Sequence, residues 1–325
     1  MQPEGAATRF GRWWFAGGEP RLSALDLALI AGFLALLLAG AWFAEAFFTE
    51  RNISNLMRQV VANGLISLGM LLVILTGGID LSVGSVVALG GVLFAGITDQ
   101  LGIGPALVVA IIAGAAAGLV NGSIVARFKL QSFIVTLATM GIVRGVVYLY
   151  TEVPLSPSHS GFRDLGATLI GVVPLSMIIM LGCYALVWFY LNRTPAGRAT
   201  VAIGGNEETV RLAGVNVQRT VTVAYMLSGA LSALSGAILV SRLGIAQPSL
   251  GIAYELDAIA ACVIGGAALG GGAGSVGGTL FGVLTLGVIN NLLNLVGVKS
   301  FYQDIVKGTV IVLAVLLVAT KREKK

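Results

Sequence analysis

The sequence LVILTGGIDLSVGS, residues 72–85, sets the character of this chain. An apolar run ends at Leu75, then two glycines, an acid and a serine interrupt it, and a second apolar run begins at Val83. Non-helical backbone at membrane depth is tolerated only inside protein or beside a cavity. The pattern therefore predicts two membrane helices joined by a break at Gly77–Ser82, and a plain cytoplasmic turn between the two helices is the alternative.

Four residues of this break, Gly77, Gly78, Asp80 and Ser82, are candidates for a transport pathway or for the break itself. A charged side chain inside a bilayer is costly and usually marks a protein interior or a water-filled cavity. Aspartate is also a preferred N-cap residue. We therefore favour a role for Asp80 as a cap and turn residue of the following helix over direct contact with a ligand.

Composition supports the membrane class. Of the 325 residues, 57% are hydrophobic and only 11% are charged, whereas soluble proteins carry roughly 25% charged residues. A spanning helix needs about 20 mainly apolar residues. We predict an all-α polytopic membrane protein with about ten transmembrane helices, near residues 24–44, 58–76, 82–98, 104–126, 132–150, 168–191, 220–241, 253–269, 274–296 and 302–320.

The distribution of Lys and Arg predicts the orientation of these spans. Cytoplasmic loops retain basic residues, and an inside N-terminus places 13 of the 20 Lys and Arg in cytoplasmic segments. Both termini are therefore predicted to be cytoplasmic, with an N-terminal segment 1–23, a transmembrane domain 24–320 and a basic tail 321–325. Since the basic residues form short clusters rather than one stripe, a nucleic-acid partner is not expected.

A polar cytoplasmic loop, residues 192–219, interrupts the apolar runs, and we call it the coupling segment. Within it the sequence predicts a short helix, because Asn206 is an N-cap candidate, two acids begin the helix, and a basic residue and a glycine follow. Such a helix either lies on the lipid headgroups or docks on a cytoplasmic partner. Its candidate residues are Gly205, Asn206, Glu207, Glu208, Arg211, Leu212 and Gly214.

Amide side chains within the apolar runs are a further group of pathway candidates. Asn63 lies in the second run, and Asn290, Asn291 and Asn294 share the ninth. Amides hold membrane helices together, and they also line polar paths for cargo that carries many hydroxyl groups. The sequence leaves both roles open.

A short sequence motif that occurs twice in the chain predicts inverted repeats. Gly118-x-x-Asn121, followed by Lys129 and Ser132-Phe133, resembles Gly287-x-x-Asn290, followed by Lys299 and Ser300-Phe301. In the predicted topology the first linking loop is inside and the second is outside. Inverted repeats are a common plan of transporters, which bind their substrate at the repeat interface.

No catalytic or metal site is predicted, because one His and two distant Cys make a poor ligand set. No nucleotide-binding loop of the form G-x-x-x-x-G-K-[ST] is present either. The chain is therefore not expected to be an enzyme. Active transport would need energy from another chain or from an ion gradient.

Four stretches resemble the ribose and monosaccharide branch of the permeases of ATP-binding-cassette importers. They are residues 72–85, quoted above, AIGGNEETVRLAGVNV (202–217), AQPSLGIAYELDAIAACVIGG (246–266) and NNLLNLVGVKSFYQDIVKG (290–308). The resemblance extends from about residue 50 to 320. Branched-chain amino acid permeases are a related branch, but these motifs are more similar to the sugar branch.

The resemblance implies a permease of the bacterial inner membrane that acts as a dimer, expected to be a homodimer. It also implies a pair of cytoplasmic ATPases that bind ATP and Mg²⁺, with no cofactor on this chain, and a periplasmic or lipid-anchored sugar-binding protein. The stretch Gly204–Gly214 would be the helix that docks on the ATPase. The resemblance supplies no sugar-ligating residues.

Ribose is the leading cargo by the similarity of the motifs, and other monosaccharides remain candidates. The alternative function is a gradient-driven secondary transporter of a small polar solute. That protein would work alone and would use a buried acid, Asp80 or Asp257, as its ion site.

Overall fold

Local capping signals set the helix boundaries in a computed structural model of the chain, which describes residues 24–299 and residues 302, 303, 305, 308 and 309. The side chains of Thr49, Asn216 and Ser275 each accept a hydrogen bond from a backbone amide three residues later, as N-caps do. Gly77 and Gly244 follow the ends of two helices with φ of 87° and 74°, a conformation that glycine adopts without steric cost.

The described residues form twelve helices and one short antiparallel hairpin. The hairpin strands are β1 (Leu169–Ile170) and β2 (Val173–Pro174). The helices are α1 (Ala24–Phe43), α2 (Glu50–Leu75), α3 (Val83–Leu101), α4 (Ile103–Phe128), α5 (Ser132–Tyr150), α6 (Asp164–Ala167), α7 (Leu175–Arg193), α8 (Pro195–Gly205), α9 (Glu207–Leu212), α10 (Val217–Leu243), α11 (Tyr254–Ile264) and α12 (Val276–Leu295).

Helix α2 lies at the centre of the molecule. Every residue from Val60 to Leu75 except Asn63 is buried. Helix α10 packs against α2, α3 and α4, whereas α11 and α12 pack against α2 from another direction. A helix that is apolar on all sides is expected to be buried in this way, and α2 therefore forms the axis around which the other helices are arranged.

Small residues allow α4 and α10 to pack closely. A Cβ atom at Gly118 would overlap the backbone carbonyl of Tyr225, and one at Gly229 would overlap the carbonyl of Gly114. Gly122 faces Thr222 in the same way. Glycines spaced by four residues lie on one helix face and bring two backbones together, the packing mode typical of membrane helices.

Seven described helices are long and apolar enough to cross a membrane: α2, α3, α4, α5, α7, α10 and α12. On the outer helices α4, α5 and α7, large apolar side chains such as Ile112, Ile142 and Leu186 are exposed. Since water disfavours so many exposed apolar side chains, these faces are suited to lipid or to another membrane chain. The described part of the chain is therefore a multi-pass membrane domain.

The predicted spans differ from the structure at three places. Helix α2 begins at Glu50, eight residues before the predicted start at residue 58. The run 168–191 begins as the hairpin, and its helix starts only at Leu175, after Pro174 at the N-cap position. The run 253–269 contains α11, which has 11 residues and ends at Ile264. At 1.5 Å per residue α11 is about 17 Å long, so the helix by itself does not cover a hydrocarbon core of about 30 Å, and the rest of this run is not helical.

Several predictions concern residues outside the described ones. These are the segment 1–23, the tail 321–325, most of the run 302–320 and the position of both termini. The inverted repeats also stay a prediction, although Gly118-x-x-Asn121 and Gly287-x-x-Asn290 each lie in the second half of a long helix, α4 and α12.

Substitution of Gly118 by alanine tests the close contact between α4 and α10. We expect a loss of about 1–3 kcal/mol, typical of overpacking, because the added methyl group meets backbone atoms that cannot move aside. The control is Gly104→Ala in the same helix, where nothing lies within 4 Å of the added atom. The measurement is the thermal midpoint of each variant in detergent, and equal midpoints for the two variants would contradict the packing described here.

Candidate functional site

The predicted helix break is present between Leu75, where α2 ends, and Val83, where α3 begins. Gly77 adopts a positive φ, and a Cβ atom at Gly78 would overlap the hydroxyl group of Tyr225. Asp80 and Ser82 are each only 1% exposed. The break is therefore an irregular segment whose acid and serine are enclosed by protein, whereas Gly77 is exposed.

Asp80 is held by hydroxyl groups and one backbone amide. Its Oδ1 accepts from the amide and the hydroxyl of Ser82 at 3.0 and 2.6 Å, and its Oδ2 accepts from the hydroxyl of Ser228 at 3.2 Å. Burial raises the pKa of the Asp80 carboxyl above its ordinary value, and these hydrogen bonds oppose the rise. The carboxyl group is thus fully enclosed, and its hydrogen bonds offset part of the cost of burying it.

The predicted N-cap role of Asp80 is wrong. The N-cap position of α3 belongs to Ser82, whose side chain makes no capping hydrogen bond. Asp80 lies two residues before it and accepts the Ser82 amide instead, an arrangement of the Asx-turn type. The turn role of Asp80 therefore stands, whereas the capping role does not.

Side chains from α4 and α5 bind further polar groups of the break. The amide of Ile79 donates to the Ser132 hydroxyl at 3.0 Å, and the amide of Leu81 donates to Thr136 at 3.1 Å. The Asn121 amide donates to the Ser82 hydroxyl at 2.9 Å. Four helices besides α2, namely α3, α4, α5 and α10, thus meet at this one network.

A cavity of about 520 Å³ lies beside the break, and we call it the break cavity. The end of α2, the α4–α5 turn, the coupling segment and the first half of α10 all contribute to its wall. Its lining residues are Thr76, Gly77, Gly78, Val125, Ala126, Lys129, Leu130, Gln131, Ser132, Phe133, Ile203, Glu207, Val217, Val221 and Tyr225.

The coupling segment contains two helices, where the sequence predicted one. Asn206 caps α9 by accepting the Thr209 amide at 2.9 Å, and Glu208 forms an ion pair with Arg211 at 2.6 Å. Gly214 follows with a φ of 82°. The predicted short helix is therefore present, and the extra helix, α8, begins at Pro195 after the cap residue Thr194.

The exposure of α9 distinguishes it from the helices around it. None of its residues is buried, and Leu212 is 79% exposed although it lies outside the candidate spans. Gly205 has open space around it, whereas a Cβ atom at Gly204 would overlap the carbonyl of Leu75. Helix α8 therefore rests directly on the end of α2, and α9 projects from it with an apolar side chain uncovered.

The asparagine side chains predicted as pathway candidates lie away from the break. Asn291 and Asn52 exchange two hydrogen bonds of 2.9 Å and join α12 to the start of α2. Asn294 is exposed and accepts from Gln303. The side-chain oxygens of Asn63 and Asn290 are buried and make no hydrogen bond with any described residue.

The structure does not bring all of the sequence-predicted pathway residues together. The break and the Asn52–Asn291 pair are separated by most of the length of α2, about 35 Å at 1.5 Å per residue. A second cavity of about 660 Å³ lies at the start of α2, lined by Thr49, Glu50, Arg51, Ser54, Asn55, Arg58, Leu169 and Val172. Most candidates thus lie near the two ends of one buried helix, whereas Asn63 lies near the middle of that helix.

The sequence did not single out several polar residues near the two ends of α2. Thr136, Ser228 and Tyr225 belong to otherwise apolar runs, and Asn52 lies before the predicted start of its span. A local signal exists only for Ser228, which begins a series with Ser232 and Ser235. Within the described residues no three His, Cys, Asp or Glu side chains are placed to share a metal ion.

Comparison with known proteins gives one family and several relatives. The family model described as a branched-chain amino acid transport system permease component matches residues 52–315. The ribose import permease protein of Bacillus subtilis (strain 168) is 47% identical over 88% of this chain and 90% of its own length. Two permease proteins of Escherichia coli (strain K12) are also similar. The L-arabinose permease is 38% identical over 97% of this chain and 94% of its own length. The xylose permease is 35% identical, over 94% and 96% respectively. No solved structure matches the chain significantly.

Two substitutions of Asp80 test the network at the break. Asp80→Ala removes the acceptor of three hydrogen bonds, and each buried group left unpaired costs about 1–3 kcal/mol. Asp80→Asn keeps an acceptor oxygen for Ser82 and removes a desolvated charge, so we expect a clearly smaller loss. The measurement is the thermal midpoint in detergent, and equal losses for the two variants would show that these hydrogen bonds do not hold the break.

Proposed function

The chain belongs to the family of membrane permeases that includes the ribose, arabinose and xylose import permeases, and on this premise we propose that it is the membrane subunit of an ATP-binding-cassette importer for ribose or a similar monosaccharide in the bacterial inner membrane. The observation that carries the proposal is similarity over nearly the whole chain to three relatives named for pentoses. The identity to the ribose permease, 47%, exceeds that to the other two.

The energy source in this proposal is a separate ATPase that binds ATP and Mg²⁺. The chain has no nucleotide-binding loop of its own. Helix α9, with its uncovered Leu212, is the docking element, because an exposed leucine on a polar surface segment fits a protein partner. A sugar-binding protein on the other side of the membrane delivers the cargo, and a second copy of the permease completes a homodimer.

The same proposal places the molecule in the membrane. The end of α2, the α4–α5 turn with Lys129, and the coupling segment with its basic residues face the cytoplasm. The start of α2 and the hairpin face outward. Both termini are cytoplasmic and the full chain spans the membrane about ten times.

The contacts of α8 suggest how ATP hydrolysis moves the cargo pathway. ATP binding closes the two ATPases and displaces α9, and α8 moves with it because only Asn206 separates the two helices. Gly204 of α8 touches the carbonyl of Leu75 at the end of α2. The displacement is thereby delivered to the helix break, where Gly77 provides a backbone that bends without steric cost.

Reconstitution tests the proposed function. The permease is purified from a host that expresses its ATPase and binding protein, and uptake of radiolabelled ribose into proteoliposomes is measured. Uptake that requires ATP and the binding protein supports the proposal. Uptake by the chain alone, driven by a proton or sodium gradient, would replace it with the secondary transporter, with the buried Asp80 as the first candidate ion site.

Substitution of Leu212 tests the docking role of α9. We expect Leu212→Asp to reduce copurification of the ATPase by at least about tenfold, since a buried apolar contact contributes about 1.5–3 kcal/mol. The matched control is Val153→Asp, another exposed apolar residue (64%), which lies in the loop after α5. The ATPase recovered per permease is measured for both variants. Normal recovery with Leu212→Asp would contradict docking through α9.

A further inference from the structure

The break cavity has the chemistry of a site for a neutral, hydroxyl-rich molecule. Its lining contains one cation, Lys129, and one anion, Glu207, and every other lining side chain is uncharged. Gln131 and Ser132 supply hydrogen-bonding groups, and Phe133 supplies an apolar surface. Its volume of about 520 Å³ falls within the range of ordinary ligand sites, about 300–1,000 Å³. Balanced charge disfavours an ionic ligand and suits a sugar.

Tyr225 supplies the second observation. This residue lines the cavity and is 0% exposed, yet within the described part of the chain its hydroxyl makes no hydrogen bond of good geometry. The Ser132 hydroxyl lies close enough for a weak hydrogen bond with it, but not with good geometry. Buried hydroxyl groups are nearly always paired, and each exception calls for an explanation. The Tyr225 hydroxyl is therefore available for a ligand that enters between it and Ser132.

The conformation described here closes this hydroxyl off from the cavity. Tyr225 lies behind Gly78 of the break, and Ile203 and Glu207 of the coupling segment also line the cavity. A movement of the coupling segment changes the shape of the cavity directly, without any intermediate element. In the closed conformation the Tyr225 hydroxyl lacks a hydrogen-bond partner of good geometry, which is unfavourable. In the open conformation a hydroxyl group of the ligand would supply that partner.

We propose that the break cavity is the site from which the sugar is released into the cytoplasm, and that the Tyr225 hydroxyl binds a sugar hydroxyl there. This inference rests on the proposed function, because it takes the cargo and the orientation from it. It adds a location for the last binding step and a residue that contacts the cargo. It also makes the docking element part of the wall of the release site.

Tyr225→Phe tests the site, with Tyr184→Phe as the matched control. Tyr184 is buried too, but its hydroxyl donates to the carbonyl of Gly64 at 3.0 Å and lies away from the cavity. ATP-driven uptake into proteoliposomes is measured with increasing ribose inside, on the side that corresponds to the cytoplasm. Internal ribose occupies the release site and slows turnover. We expect Tyr225→Phe to raise the internal ribose concentration for half-inhibition about threefold to tenfold, the effect of one lost hydrogen bond.

The thermal midpoints of the same two complexes in detergent give an independent result. Tyr225→Phe is expected to leave the midpoint unchanged or raised, because it removes an unpaired buried group, whereas Tyr184→Phe is expected to lower it without altering inhibition. Unchanged inhibition with Tyr225→Phe would overturn the release site. A midpoint lowered as much as in the control would show that the hydroxyl has a structural partner, which overturns it as well. A wild-type complex that takes up no pentose or hexose would instead reject the proposed function, and the release site with it.

Discussion

Hydrogen bonding of the backbone between α2 and α3 is the constraint on which the rest of the structure depends. Polar backbone groups that are buried away from water need hydrogen-bond partners, so protein must bind those of the buried part of this segment. The amides of Ile79 and Leu81 find hydroxyl groups on α5, and Asp80 binds the Ser82 amide next to them. This short segment of non-helical backbone therefore requires α5 to lie beside it. It also requires the polar side chains of α4 and α10 to reach it.

Close packing of α4 on α10 makes that network possible. Gly118 allows the two backbones to meet, and Asn121 lies one turn further along α4, where it donates to Ser82. Ser228 lies on α10, close to Tyr225, and reaches Asp80 from the other side. A larger residue at the glycine would separate the helices and draw Asn121 and Ser228 away from the break. The small residues and the polar network therefore act as one structural unit.

The sequence predicted those features that depend on neighbouring residues. The break follows from two glycines, an acid and a serine in succession, and α9 follows from its cap Asn206 and its charges. The partners of the break were not predictable, since Asn121 lies 39 residues from Ser82 and Ser228 lies 148 residues from Asp80. The span at 253–269 was overestimated because apolar composition continues through Gly265 and Gly266, where the helix ends.

The Asn52–Asn291 pair has a consequence for biosynthesis. The two residues are 239 positions apart, and at about 5–20 residues per second a ribosome needs roughly 12–48 s to make the intervening chain. During that time the start of α2 is already made but its amide partner does not yet exist. The α12 helix therefore forms its contact with the start of α2 late in synthesis. In nascent chains that stop before α12, the Asn52 side chain keeps only the Phe47 carbonyl from this set of hydrogen-bond partners.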